Sequence, residues 1–287
     1  GYHPLSLRLL LGTLANDPRQ PNDIAAAKGY DLSGDLVQRQ NHVLARAYDG
    51  LNPSQQRLLG YVAALRSAVE YDVLRQLLAD SPTLNADLAR LIQSGLLQRD
   101  AAGHTAHSAR YDLHPIVRRY AYDRLHGDAR TQTHSQLRDY FEAVPKPETV
   151  HSLADLAPAI ELYHHLLGAE QFDQASDLFY DRLWKPLYYQ LGAYQTELEL
   201  LRGLFPTGEA ELPRLSNERA QAWTLSTMGI AYSVSGQSRQ AAQMKRRAND
   251  IDERRDDKNN LAIGLSNLTY DLLKLGQLRE AEAAARH

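Results

Sequence analysis

The chain of 287 residues contains no cysteine. That absence excludes disulfide bonds, thiol nucleophiles and every cysteine-ligated zinc site, and it suits a reducing cytosol. An excess of one charge sign is also missing. Lys and Arg number 32 against 35 Asp and Glu, a formal net charge of −3, so nothing draws the whole chain toward nucleic acid or an anionic membrane surface. No apolar run approaches the roughly 18 residues needed to span a bilayer. Gly1 is not an initiator methionine and opens no signal peptide, so the chain is expected to start inside a longer polypeptide. No HExxH, nucleophile elbow or recognisable carboxylate pair occurs, so no catalytic residue and no enzymatic activity is expected of this chain. Hydrophobic residues make up 43% and charged residues 23%, the balance of a soluble protein with two or three domains, expected to be cytoplasmic.

What is present reads as mainly helical. Residues 4 to 15, "PLSLRLLLGTLA", form an apolar helix with Pro4 in its first turn, and "NDPRQPND" breaks it. A second helix covers 35 to 48 with Leu36, Val43, Leu44 and Ala47 on one face, and "DGLNPS" ends it. Residues 53 to 126 read as three helices, a two-stranded hairpin and a closing helix. The first of these, "PSQQRLLGYVAAL", spaces Leu58, Leu59, Val62 and Leu65 as one buried face. "YDVLRQLLA" and "LNADLARLIQSG" follow, the latter capped by Gly95. "LLQRD" and "ARYDLH" then pair across the loop "AAGHTAHS". This order describes a winged helix, a relative of the helix-turn-helix.

Further along, the signal is repetition. "MGIAYSVSGQSRQAAQMKRRA" and "LTYDLLKLGQLREAEAAARH" align with Gly236 over Gly276 and Ala241 over Ala281, a period of 40 residues. Gly229, Tyr232, Gly236, Ala241 and Ala248 occupy positions where paired helices of the tetratricopeptide type need small residues or a groove-filling tyrosine. The period exceeds the usual length of about 34, so longer helices or turns are expected. "EQFDQASDLF" repeats the spacing through Phe172, Ala175 and Phe179, and "QLGAYQTELELL" reads as a degenerate third member. The last repeat is incomplete at His287, so the natural protein is expected to continue.

Three features in this order resemble one family. "GYHPLSLRLL" resembles the Gly-x-Pro segment of the helical domain in NB-ARC and other STAND signalling ATPases. A winged helix follows, and its last strand runs into "LHPIVRRYA", similar to the family's Met-His-Asp motif in a bacterial Leu-His-Pro form. Tetratricopeptide-like repeats complete the likeness, which covers nearly the whole chain. The resemblance implies four parts. Residues 1–50 would end the helical domain, and 51–127 would be the winged helix. Residues 128–215 would be a helical linker with degenerate repeats, and 216–287 tetratricopeptide-like repeats forming a solenoid. It also implies that Pro4 packs on the adenine of ADP and that His114 reaches the β-phosphate, holding the protein closed. A protein or peptide trigger on the repeats would loosen that state, nucleotide would exchange, and opened molecules would assemble into a homo-oligomer.

The chain departs from the family in lacking a Gly-x-x-x-x-Gly-Lys-Ser/Thr loop, so ADP or ATP with magnesium would be held by a nucleotide-binding domain outside it. Pro115 stands where the motif has aspartate, so no role of that aspartate carries over.

Simpler readings stand beside these. His114 is also a good helix cap before Pro115, and Pro4 a good helix-start proline. Arg118 and Arg119 read as a solvated or interdomain helix face. A winged helix that reads DNA is the main rival, yet "LNADLARLIQSG" offers Asn85, Arg90 and Gln93 against Asp87, a poor composition for base edges and phosphates. A plain tetratricopeptide scaffold is the third reading. Glu161, His164 and His165 have helical spacing but no second ligand pair, and His104 and His107 lie in a loop, so no metal site is expected. "KRRANDIDERRDDKNN" mixes both signs and reads as a solvated helix end and turn.

Overall fold

The computed structural model describes residues 4–15, 36–78, 81–100 and 109–286. The break "NDPRQPND" and the loop at 101–108, with His104 and His107, lie outside the described residues. The chain divides into two compact units, Gly1–Tyr140 and Phe141–His287.

The first unit begins with α1 (Pro4–Ala15), α2 (Leu36–Asp49) and α3 (Pro53–Ala64). Asn52 starts α3 through a reciprocal cap: its Oδ1 accepts from Gln55 N at 2.9 Å, and Gln55 Oε1 accepts from Asn52 N at 3.1 Å. Pro53 supplies the preset first-turn φ. Leu58, Leu59, Val62 and Leu65 are buried as their spacing requires. Then come β1 (Val69–Glu70), α4 (Tyr71–Leu77), α5 (Leu84–Gln93), β2 (Gln98–Asp100), β3 (Arg110–Asp112), α6 (Pro115–Asp123) and α7 (Gly127–Glu142), whose last two residues belong to the second unit.

The strands form one antiparallel sheet in the order β1-β3-β2, with Tyr111 opposite both Val69 and Arg99. The sequence reading expects a two-stranded hairpin. The third strand is two residues long, too short for any periodicity to mark, and exists because β3 offers it a free edge. Gly95 closes α5 at φ +77°, and its loss of a side chain lets Arg8 of α1 pass against it. Gly12 makes a second close approach, since a Cβ there would stand 2.5 Å from the Ser94 carbonyl oxygen. Two glycines thus seat α1 on the end of α5.

The second unit contains a 3₁₀ turn at Leu153–Leu156, α8 (Ala157–Gly168) and α9 (Phe172–Leu178). The backbone then winds as π-helix at Phe179–Leu183 and again at Pro186–Gln190. After these come α10 (Tyr194–Arg202), α11 (Glu218–Val234), α12 (Ser238–Arg254), α13 (Lys258–Lys274) and α14 (Leu278–Arg286). Each of α11 to α13 packs on the next. Helices α11, α12 and α13 are 17 residues long. Three-residue turns join them, which accounts for the period of 40: α11 starts at Glu218 and α13 at Lys258.

One turn geometry recurs. Gly236 and Gly276 take left-handed φ of +78° and +73°, and the next residue's N–H returns to a carbonyl five positions back, Gln237 to Tyr232 and Gln277 to Leu272. Glu170 adopts the same conformation at φ +59°, with Gln171 N donating to Leu166 O. It stands five residues before buried Ala175, as Gly236 stands before Ala241 and Gly276 before Ala281. Gly192, at φ +59°, opens α10 in the same register, but five residues on stands Glu197, fully buried.

The run "KRRANDIDERRDDKNN" is not wholly solvated. Lys245, Asn249 and Asp252 are buried, because one helical face of α12 points into the stack. Among the described residues no helix is long and apolar enough to cross a membrane.

Candidate functional site

β3 ends at Asp112, buried Leu113 follows, and His114 caps α6 with extended backbone angles of −55° and 138°. Its Nδ1 accepts from Ile116 N at 3.3 Å, while Pro115 takes the first helical position. The ring is half-buried. With Nδ1 accepting, a neutral imidazole carries its hydrogen on Nε2.

Arg118 rigidifies this junction. Its Nη1 donates to Val62 O at 2.7 Å and also to Leu65 O, and its Nη2 meets Asp112 Oδ1 at 2.5 Å. The last carbonyls of α3 have no intrahelical donors, and a planar guanidinium supplies several at once. Arg118 therefore does not lie on a solvated or interdomain face with Arg119; its side chain is 20% exposed against 86% for Arg119, which pairs at 3.7 Å with Asp123. The strand-to-helix turn aims it inward over α3, a direction that spacing alone does not reveal.

Pro4 opens α1 and is exposed. It and His114 sit on different elements: α1 packs on α2, whereas α6 packs on α3. The exposed face of α5 presents Asn85, Ala86, Ala89 and Gln93, and Asn85 Oδ1 already accepts from Tyr71 Oη at 2.8 Å. His165 is sealed in the second unit, stacked on Phe141 at 5.5 Å, with Nε2 3.6 Å from Glu161 Oε2. Among the described residues no group of three or more His, Asp or Glu side chains could hold a metal ion.

The second unit holds features that the sequence reading missed. A cleft of about 560 Å³ has an apolar floor including Phe141, Val144 and Leu156, and a charged rim including Lys146, Asp181 and Arg182. Beside it runs a ladder of rings. Tyr180 stacks on Trp184 with centroids 6.0 Å apart and planes at 13°. Trp223 of α11 meets both edge-on, at 5.1 and 5.6 Å. Trp184 also meets Tyr189 at 5.8 Å, and Tyr188 bridges Tyr189 and Tyr194 at 4.8 and 5.3 Å. Five of these six rings crowd into "YDRLWKPLYYQLGAY", a density that could have marked the segment in sequence. Behind Tyr188 stands Glu197. Neither of its carboxylate oxygens has a hydrogen-bond partner among the described residues, and burial pushes its pKa up to about 8.

No protein-family model matches the chain, and no curated protein matches it. Among solved structures it is similar to a Signal Transduction ATPase with Numerous Domains (STAND) protein with a tetratricopeptide repeat sensor from Pyrococcus horikoshii, at 14% identity and a TM-score of 0.41. That likeness covers 98% of this chain and spans 46% of the other.

Proposed function

We propose that the chain is the regulatory and sensing part of a STAND-type signalling ATPase of the NB-ARC kind, cytoplasmic and not itself an enzyme. In this reading α1 and α2 end the helical domain, α3 to α6 form the winged helix, α7 to α10 are a helical linker with degenerate repeats, and α11 to α14 are tetratricopeptide-like sensor repeats. A nucleotide-binding domain outside the chain holds ADP or ATP with magnesium. His114 reaches the β-phosphate of ADP, and Pro4 packs on the adenine. ADP then favours the closed state, a protein or peptide trigger on the repeats favours the open one, and open molecules associate.

The observation that carries the reading is the geometry of His114. The cap occupies Nδ1, and the ring is held half-buried at a junction made rigid by Arg118. A structural cap alone needs no imidazole, since Asp or Asn caps at least as well. The exposed face of α5, with two alanines among its four exposed positions, gives the DNA-binding alternative little support.

His114→Asp tests the latch in the chain joined to its nucleotide-binding domain. Aspartate keeps the cap but repels phosphate, so ADP should dissociate faster and basal signalling should rise while melting is unchanged. Unaltered ADP retention would overturn the reading. In calorimetry the chain alone should show no tight ADP binding.

A further inference from the structure

The ring ladder of the second unit is more exposed than packing requires. Tyr180 and Tyr189 are 52% and 69% exposed, although each touches other rings. Their backbone is π-helical in two successive segments. Such turns are rare and concentrate at functional sites, because an extra residue per turn weakens the helix unless it places a side chain usefully.

Several of the chain's other aromatic rings carry a cation of its own. Arg214 lies over Phe172 at 4.9 Å, Arg202 over Tyr232 at 5.8 Å and Lys274 over Tyr270 at 4.3 Å. The first unit does the same, with Arg124 over Tyr48 and Tyr120, and Arg130 over Tyr122. Among the described residues no cation of the chain covers Tyr180, Trp184, Tyr188, Tyr189, Tyr194 or Trp223. The densest group of rings is left without a covering cation.

The flanking charge is mainly acidic. Asp177 and Asp181 bracket Tyr180 and are exposed, with no ion-pair partner among the described residues. Glu199 is exposed as well. Of the two cations in this stretch, Arg182 is committed to Glu142 at 3.0 Å, which leaves Lys185.

We propose that this ladder docks an arginine-bearing segment of a partner protein. Guanidinium planes lie on the faces of Tyr180, Trp184 and Tyr189, and Asp177 and Asp181 accept their N–H groups. Arginine fits better than lysine because its flat, weakly hydrated head stacks on a ring while its edge still donates to a carboxylate. Single-stranded nucleic acid would stack as well, but its phosphates would meet Asp177, Asp181 and Glu199. As the trigger site this rests on the sensor reading above; as a docking surface it does not.

Trp184 and Trp223 are the two tryptophans of the chain, so intrinsic fluorescence reports on the ladder without a label. The probe is a short blocked peptide carrying several arginines spaced by glycine and serine. Its comparators are the same peptide with citrulline in place of arginine, and a single-stranded oligonucleotide. The arginine peptide should change tryptophan emission saturably. Citrulline keeps the shape and loses the charge, and should bind about tenfold more weakly or not at all. Tyr180→Leu and Asp181→Asn should each weaken the arginine peptide about tenfold, and Asp181→Asn, at an exposed position with no ring contact, should do so without moving the melting temperature. Equal binding of the citrulline peptide, an arginine peptide that leaves emission unchanged, or a response confined to the oligonucleotide would each overturn the proposal. Neither nucleotide nor His114 enters this titration, so its failure is distinguishable from failure of the ADP latch.

Discussion

Lys245 Nζ lies 2.5 Å from Asp271 Oδ2, with both side chains sealed from water, and so ties α12 to α13. Ser233 Oγ of α11 donates to the other carboxylate oxygen at 2.7 Å, and Lys245 also donates to Asn267 O at 3.2 Å. Gly229 leaves room for the lysine stem, since a Cβ there would stand 2.7 Å from Lys245 Cγ. Three successive helices therefore share one buried polar network. A pair of charges out of water persists only when its hydrogen bonds are nearly complete, so this network accepts one register of the helices and penalises others.

Removing one partner should therefore cost more than removing both. Asp271→Ala leaves a buried ammonium without its counter-charge and is expected to destabilise by about 3–5 kcal/mol. Lys245→Met combined with Asp271→Leu should fall close to the parent protein. Urea unfolding of the whole chain, followed by helical signal, compares them. A single variant as stable as the parent would mean the pair does not hold the register.

Glu197 gives a pH dependence with a definite sign. Its pKa is raised by burial to about 8, above the ordinary 4.5, so between these values the folded protein holds a proton that the unfolded chain releases. The contribution to stability is complete below the ordinary value and is lost as pH rises through the folded one, a change on the order of a few kcal/mol. Glu197→Gln stays neutral throughout. Its melting temperature should match the parent in acid and exceed it increasingly up to about pH 8. A difference that does not vary with pH would contradict the assignment.

Arg118 should matter through its fork and not merely its charge. Arg118→Met keeps the apolar stem and strands Val62 O, Leu65 O and Asp112, at an expected cost of about 2–3 kcal/mol. Arg118→Lys reaches fewer of these acceptors and should be intermediate. Guanidinium unfolding gives the order, and amide exchange at the end of α3 locates the loss. Full stability of the lysine variant would show that one charge suffices.

Much of this architecture was legible in the residues. Leu58, Leu59, Val62 and Leu65 are buried as their spacing demands, and Asn52 and Gln55 form the box that starts α3. The 40-residue period through Gly236 and Gly276 is visible as two turns of one geometry. Other features were not legible because they are relations between distant segments. Glu170 takes a left-handed turn usually given to glycine, and β1 exists by virtue of β3. The ladder is assembled when Trp223, far along the chain, is laid against Tyr180 and Trp184.

Local information alone determined where helices start and stop, which faces turn inward, and that His114 would cap a helix before Pro115, since capping and helical period act over a few residues. Tertiary structure decided which charged side chains are spent inside the protein and which remain for others. Lys245 and Arg118 resemble surface cations in sequence and are consumed by partners on other helices, while Tyr180 and Asp181 are left facing water. The energy of a charge depends on how much water the fold removes around it and which opposite group it brings near, and neither is set by adjacent residues.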